Sequence, residues 1–408
     1  MESSFAVENS DQLVEAVTWA AAEQQPLEVI GRGSKRALGR PVQAGHSLDL
    51  SRLTGITLYE PEELVLSARA GTSLAEIEAA VAEKNQMLAF EPVDLSPLLG
   101  GAAGGGSIGG VLACNLSGPR RIKAGAARDH FLGVESASGR GEIFKSGGRV
   151  VKNVTGYDLC KLLCGSYGTL AVMTDVTLKV LPRPQKTYTV LVLGLDDATA
   201  VKAMSRALGS PHEVSGAAHL PAGLAAGSAV SYVAEAGGAV TAIRLEGPGP
   251  SVEYRCAALR RELADLGDTE ELHSRNSLAL WQELRDVRPL WVQEDKGPER
   301  AVWRISVAPS EGPEVVAAIG QGEAFYDWGG GLVWLALSAE GDAGAGRIRD
   351  VLRPGGGHAT LIRAPLEVRA AEPVFHPQDP AMAALSARVK DGFDPCRVLN
   401  PGRMYAGL

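Results

Sequence analysis

The chain has 408 residues, 45% hydrophobic and 22% charged, which is enough for two or three domains, each with its own core. Its 40 Lys and Arg against 48 Asp and Glu leave a net charge of −8, so no basic excess exists to neutralise phosphates, which argues against a nucleic-acid binder. No apolar run reaches the roughly eighteen residues of a membrane span.

Five cysteines, an odd number, do not make a disulfide framework. Cys160 and Cys164 sit one helical turn apart without a second Cys/His pair, so they read as buried thiols rather than a metal site. The first residues have neither a basic nor an apolar signal region, and the expectation is a cytoplasmic protein.

Asn9 or Ser10 caps a helix with Leu13, Val14 and Val17 on its apolar side. A short strand over residues 27–30 then breaks into Gly31-Arg32-Gly33-Ser34-Lys35. Such a break leaves backbone N–H groups convergent beside a hydroxyl and cations, an anion nest suited to a pyrophosphate. The alternative is a plain tight turn with Lys35 and Arg36 solvated. Strand-like pieces follow at 47–50, 56–59 and 64–69, the last running into Ala70-Gly71-Thr72-Ser73 and a helix with Leu74, Ile77, Ala80 and Val81 on one face. Residues 87–90 form another apolar strand, leading to Glu91-Pro92.

The stretch that organises the chain is GGAAGGGSIGGVLACNLSG, residues 100–118. Flexible linkers pair Gly with Ser and charge, whereas Ile108, Val111, Leu112 and Leu116 here call for burial. Glycine threaded with core residues suggests a backbone wrapped round a ligand, so Val at Gly109 or Gly110 should fill space the ligand needs. Beyond it, GPRR leads into alternating strand-like segments. Residues 157–163 then read as a short helix, and 170–181 as a long β-rich segment ended by Pro182 and Pro184.

Read together, the GxGS turn, AGTSL, SIGGxxAxNxSG and KxVxGYDLxKLxxGSxGTLxVxTxxTLKxxPxP resemble the flavin-binding domain of the vanillyl-alcohol-oxidase (PCMH) type, over about residues 1–184. GPRR, GAARDHFLGV and the C-terminal FDPCRVLNPGR further resemble the FAD-binding subunit of bacterial glycolate oxidase. The resemblance implies a complex of three different subunits, with a sister flavin-type catalytic chain and an iron–sulfur chain. It also implies non-covalent FAD, since Lys35-Arg36 stands where covalent members carry a linking His. His130 matches no linking residue, and Cys114 reads as a small core thiol.

Residue by residue, the resemblance places Gly31, Arg32, Gly33, Ser34 and Lys35 in the first pyrophosphate loop. Ser107, Ile108, Gly109, Gly110, Ala113 and Asn115 fall in the second FAD segment, with Ser117 and Gly118 at its end. Pro92 and Asp94 lie on the approach to the flavin, and Val172 where the backbone meets the cofactor. Tyr157 and Asp158 belong to the GYD signature, whose plainer role is packing of the domain. Asn400 either reaches the flavin or caps a turn before Pro401.

Past Pro184 strands and helices alternate. The segments at 301–307, 312–319, 324–328, 332–338, 345–352 and 358–363 spell β-α-β-β-α-β, the ferredoxin-like order, and those at 188–266 repeat it less clearly. The expected architecture is α+β: a two-subdomain FAD-binding domain at 1–184, an antiparallel-sheet cap with helices on one face at 185–370, and a tail at 371–408 returning to the FAD domain. Five of the six tryptophans, at 281, 291, 303, 328 and 334, read as core or interface residues.

Oxidation of a 2-hydroxy acid needs a base for the hydroxyl proton, a cation for the carboxylate and a flavin to take hydride. The His-rich acidic motif of the family's catalytic chains is missing, the histidines are scattered, and no metal site is expected. Arg363 follows an apolar strand, where it either meets a carboxylate or makes an edge salt bridge. The expected function is an FAD-carrying subunit of a glycolate oxidase complex that passes electrons toward an iron–sulfur partner, at most peripheral to the inner membrane through its partners. A self-sufficient FAD oxidoreductase of another small substrate and a scaffold with structural or absent FAD are the alternatives.

Overall fold

A computed structural model of the chain describes residues 3–150, 156–291, 299–353 and 355–408, so residues 152–155 of the KxVxGYD motif lie outside the described residues. The chain divides into two compact units. The first comprises Met1–Ser117, Gly125–Arg183 and Pro373–Leu408; the second comprises Gly118–Ala124 and Pro184–Glu372.

The first unit contains two main sheets. Strands Ser3–Ala6, His46–Asp49 and Leu27–Ile30 form a parallel three-stranded sheet with His46–Asp49 in the centre. Helix Ser10–Ala22 starts where Asn9 accepts the Gln12 N–H, and it buries Leu13, Ala16, Val17 and Ala20. These pack with Leu27 and Leu48 in a core that also holds Val172 and Leu399. Residues far apart in sequence thus share one apolar centre. Strands Ile56–Glu60, Val65–Arg69, Ala171–Lys179, Phe131–Ser138 and Ile143–Gly147 form an antiparallel sheet in that order.

The C-terminal tail is tied into this unit by backbone pairing. Leu27 N–H donates to Val398 O at 2.7 Å, and Asn400 N–H donates to Leu27 O at 3.0 Å. Behind the tail, helix Pro380–Phe393 ends in an enclosed ion pair. Lys390 Nζ donates to Asp394 Oδ2 (2.7 Å), Thr169 O (2.6 Å) and Leu399 O (3.0 Å). Asp394 accepts the Val398 and Leu399 N–H groups, so neither buried charge lacks partners.

The second unit is an eight-stranded antiparallel sheet. Its order is Thr269–Leu272, Lys186–Leu193, Val240–Gly247, Val214–Leu220, Glu323–Asp327, Leu332–Ser338, Arg300–Ser306, His358–Arg363. Each half is a complete β-α-β-β-α-β unit with the fourth strand beside the first, joined through the His219–Tyr326 pair. The half that read less clearly in sequence is as regular as the other; helix Ser274–Arg285 is added after it and packs against the sheet through Ser277 and Trp281, both bonded to Thr189 Oγ1.

The GPRR segment belongs to this unit. Arg120 makes a two-pronged bond to Glu246 at 2.9 and 2.8 Å. Burial alone would raise the Glu246 pKa, but Arg244 and Arg120 overcome it and hold the carboxyl far below its usual range. Of the tryptophans, Trp281, Trp303 and Trp334 are buried, whereas Trp291 and Trp328 are partly exposed.

Candidate cofactor site

Two glycine turns of the first unit are laced together by backbone hydrogen bonds, and a third packs against them. Leu74 N–H donates to Gly106 O, Ile108 N–H to Thr72 O at 3.0 Å, and Gly109 N–H to Ala70 O at 2.8 Å, so AGTS and SIGG run side by side. The approach is close enough that a Cβ on Gly109 would lie 2.8 Å from both Cβ and O of Ala70. GRGS abuts the same place, since a Cβ on Gly31 would fall 2.6 Å from Ser107 Oγ. Ile108, Val111 and Leu112, threaded through the glycines, are wholly buried.

These turns line a cleft that is partly open to solvent. Gly31, Arg32, Gly33, Ser34, Lys35, Ser107, Gly109, Gly110, Ala113, Val172 and Asn400 all line it. Its apolar side is furnished by Val29, Leu50, Ala171 and Met173.

Lys35 is the electrostatic centre. It is only 9% exposed, which corrects the expectation of a solvated lysine. Burial lowers its pKa, with Cys114 and Asp94 opposing the effect. Its Nζ donates to Ser34 Oγ at 3.2 Å, and Cβ atoms on Gly106 and Gly110 would stand 3.3 and 3.7 Å from Nζ. An ammonium desolvated to this degree, against a weak neutral acceptor and bare glycine backbone, favours an anion in the cleft.

Asn400 lines the cleft while its amide is used internally. Its Oδ1 accepts the Val29 N–H at 2.8 Å and its Nδ2 donates to Tyr167 O at 2.9 Å. It caps backbone, but that of strand Leu27–Ile30 and the Tyr167 turn rather than a turn before Pro401.

Several residues expected at the site do not line the cleft. Asp94 shapes the glycine stretch, accepting Ser96 N–H at 3.0 Å and Gly104 N–H at 2.6 Å. Pro92 is buried beside it, and Ile108 is core. Asn115 Oδ1 accepts the Arg128 N–H, and Ser117 Oγ the Ala127 N–H. Gly118 lies in the other unit, its carbonyl accepting from Trp328 Nε1 at 3.2 Å. The GYD signature does not pack the domain through its ring: Tyr157 is 91% exposed, while Asp158 caps helix Leu159–Leu163 through the Lys161 N–H.

Among the lining residues that sequence reasoning missed are Arg403 and Cys114. Arg403, 6% exposed, donates from Nη2 to Lys35 O at 2.7 Å and returns its own carbonyl to Arg40 N–H at 2.8 Å. It clamps the first loop to the tail, and its place three residues after Asn400 was the available signal. Cys114, read as a core thiol, sits on the cleft wall; burial raises its pKa against Lys35 and Arg403, so it stays a thiol. Cys160 and Cys164 are buried, their thiols pushed up to about 12 by desolvation. His130 is buried against Phe90, away from the cleft lining. Among the described residues no group of three His, Cys, Asp or Glu is placed to hold a metal.

A laced set of glycine turns with a buried ammonium and an apolar wall defines an FAD-binding flavoprotein, and residues 3–147 match the family model described as FAD binding domain. The chain is 37% identical over 401 residues to the glycolate oxidase subunit GlcE of Escherichia coli K12, covering 98% of each chain. It therefore belongs to the family of FAD-linked oxidoreductase subunits that contains GlcE. A second relative, glycolate oxidase subunit GlcD of Bacillus subtilis, is 30% identical over 193 residues, which is 47% of this chain and 39% of that one. In fold, p-cresol methylhydroxylase with substrate bound is similar, with a TM-score of 0.71 at 15% identity over 98% of this chain and 88% of that one.

FAD fits the residues present. Lys35, Ser34 and the surrounding glycines would hold the pyrophosphate, and Val172, Ala171 and Met173 would flank the ring system. The bound flavin supplies reversible two-electron chemistry. The protein's part is to desolvate the site, neutralise the phosphates and fix the cofactor between loops.

Proposed function

We propose that the chain is the FAD-carrying subunit of a glycolate-oxidising complex, and that it relays electrons between a sister flavin-type chain, on which glycolate is oxidised, and an iron–sulfur chain. The carrying observation is the make-up of the cleft lining: four cations, Arg32, Lys35, Arg36 and Arg403, with no carboxylate or imidazole among the described lining residues. Such a site suits an anionic cofactor, but it offers no evident base for a hydroxyl proton. The similarity to GlcE over the whole chain, and to a GlcD over less than half of it, supports a pair of related flavin chains. FAD is held non-covalently in this reading, since no His lines the cleft and the Cys114 thiol is protonated. Among the described residues no helix is long and apolar enough to cross a membrane.

The test is anaerobic addition of glycolate to the purified chain, alone and with the co-expressed sister and iron–sulfur chains. The flavin stays oxidised in the isolated chain and is reduced only in the complex. Rapid bleaching of the isolated chain would refute the relay and make the chain self-sufficient; a chain without flavin would make it a scaffold.

A further inference from the structure

A second groove of the first unit lies back to back with the cofactor cleft. Thr169 and Leu170 line the groove, while Tyr167, Gly168 and Ala171 line the cleft. In the tail, Met404 and Tyr405 line the groove, while Asn400 and Arg403 line the cleft. The two hollows therefore share a wall built from these two chain segments. Hydrogen bonds pin that wall: Lys390 Nζ holds Thr169 O and Leu399 O, and Asn400 Nδ2 holds Tyr167 O.

A row of aromatic rings crosses the wall. Tyr167, on the cleft, meets Phe375 edge-on with ring centroids 4.9 Å apart, and Phe375 meets Tyr405, on the groove, at 5.8 Å. Both separations are those of aromatic pairs in contact. Tyr167 has φ 55°, an outlier for a bulky residue, so the backbone bears strain where this ring is set. Helix Pro380–Phe393 forms one side of the groove. It buries Lys390 but leaves Met382 49% and Leu385 50% exposed, and with Val389 these make an i, i+3, i+7 stripe along the groove. A contiguous apolar stripe left in solvent marks a contact surface.

We propose that the iron–sulfur chain docks in this groove, and that single electrons reach it from the cofactor cleft by way of Tyr167, Phe375 and Tyr405. This rests on the relay proposed above. The wall names the occupant. A hydride acceptor must touch the flavin, whereas a single electron tunnels across packed protein at a rate that falls steeply with distance. A groove one wall away from the cofactor, bridged by rings in contact, therefore fits a one-electron acceptor. Glycolate gives up two electrons and two protons; the electrons cross one at a time, each reducing an iron–sulfur centre, and the protons leave to solvent. No bond of this chain forms or breaks. The docked segment sets apolar side chains against Leu162, Met382 and Leu385, as the centre of a protein interface requires.

The test uses the tagged full-length chain co-expressed with the sister flavin-type and iron–sulfur chains. Met382→Glu and Leu385→Glu should weaken retention of the iron–sulfur chain roughly tenfold or more, while the sister chain, flavin content and melting match wild type. Tyr405→Leu should keep the iron–sulfur chain but slow its reduction by glycolate several-fold in stopped-flow absorbance. Tyr405→Phe loses the same hydroxyl bond to His376 O yet keeps the ring, and should run at the wild-type rate. Full retention of the iron–sulfur chain by Leu385→Glu, or loss of the sister chain in its place, overturns the docking site. Unchanged reduction in Tyr405→Leu overturns the aromatic path. A wild-type chain that retains neither partner refutes the complex itself, a different failure from losses confined to the variants.

Discussion

Replacing Asn400 tests how far the tail builds the cleft. Its side chain gives Val29 N–H an acceptor at 2.8 Å and Tyr167 O a donor at 2.9 Å, and the residue is 2% exposed, so no water substitutes when the amide is removed. An orphaned buried backbone group costs about 1–3 kcal/mol, so the two together cost roughly 2–6 kcal/mol. Asn400 also has φ 44°, in the left-handed region, where Ala adds about 1 kcal/mol of strain that Gly avoids. Asn400→Gly should therefore lower the melting temperature by roughly 5–15 °C, and Asn400→Ala by a few degrees more. Asn400→Asp keeps an acceptor for Val29 but sets an oxygen against Tyr167 O, and should fall between wild type and Gly. Differential scanning fluorimetry with and without FAD, alongside flavin fluorescence for affinity, reads all three. If Asn400→Gly melts within about 2 °C of wild type and keeps its flavin affinity, the tail is not part of the site and the reasoning fails.

The two glycines expected to act alike should separate. Gly109→Ala forces a Cβ onto the Ala70 backbone and should destabilise the chain by about 1–3 kcal/mol, whereas Gly110→Val projects toward Ser107 Oγ and Lys35 Nζ, should melt normally, and should lose at least tenfold in FAD affinity; equal behaviour would contradict the packing. Lys35 loses its proton at lower pH than an ordinary lysine, so FAD affinity should fall as pH rises toward 10.5, and Lys35→Met should bind weakly throughout without that decline. For the apo chain the sign reverses: the desolvated ammonium disfavours folding below its lowered pKa, so Lys35→Met should melt higher than wild type without FAD. Glu246→Gln leaves Arg120 and Arg244 without their shared carboxylate and should cost about 3–5 kcal/mol near neutral pH. Because the Glu246 pKa is depressed, that stability is complete above the usual 4.5 and fades as pH falls toward the folded value, so the two proteins' urea midpoints should converge in acid and stay apart at neutral pH.

Features written in short-range pattern were legible in the sequence. The glycine turns, the apolar residues threaded between them and the second β-α-β-β-α-β run announce themselves by spacing, and the structure has all of them. Features that depend on what meets across long separations were not. Lys35 reads as a solvated cation until Arg403, 368 residues away, is found against its carbonyl. Arg120 looks like part of the glycine region, yet its partner is Glu246, 126 residues on, and that ion pair assigns the segment to the other unit. Tyr157 misled in the opposite sense: an aromatic inside a signature suggests packing, but the helix that follows needs only the Asp158 cap. Asp94 has the chemistry of a site residue and spends it on its own loop.

The central claim is that the cleft around Lys35 holds FAD. The most direct measurement is the absorption spectrum of the purified full-length chain, followed by denaturation and identification of the released flavin. The account predicts a band near ~450 nm, stoichiometric FAD set free by denaturation, and loss of both in Gly110→Val. A colourless wild-type chain that takes up no added FAD, or a flavin retained in full by Gly110→Val, would contradict it.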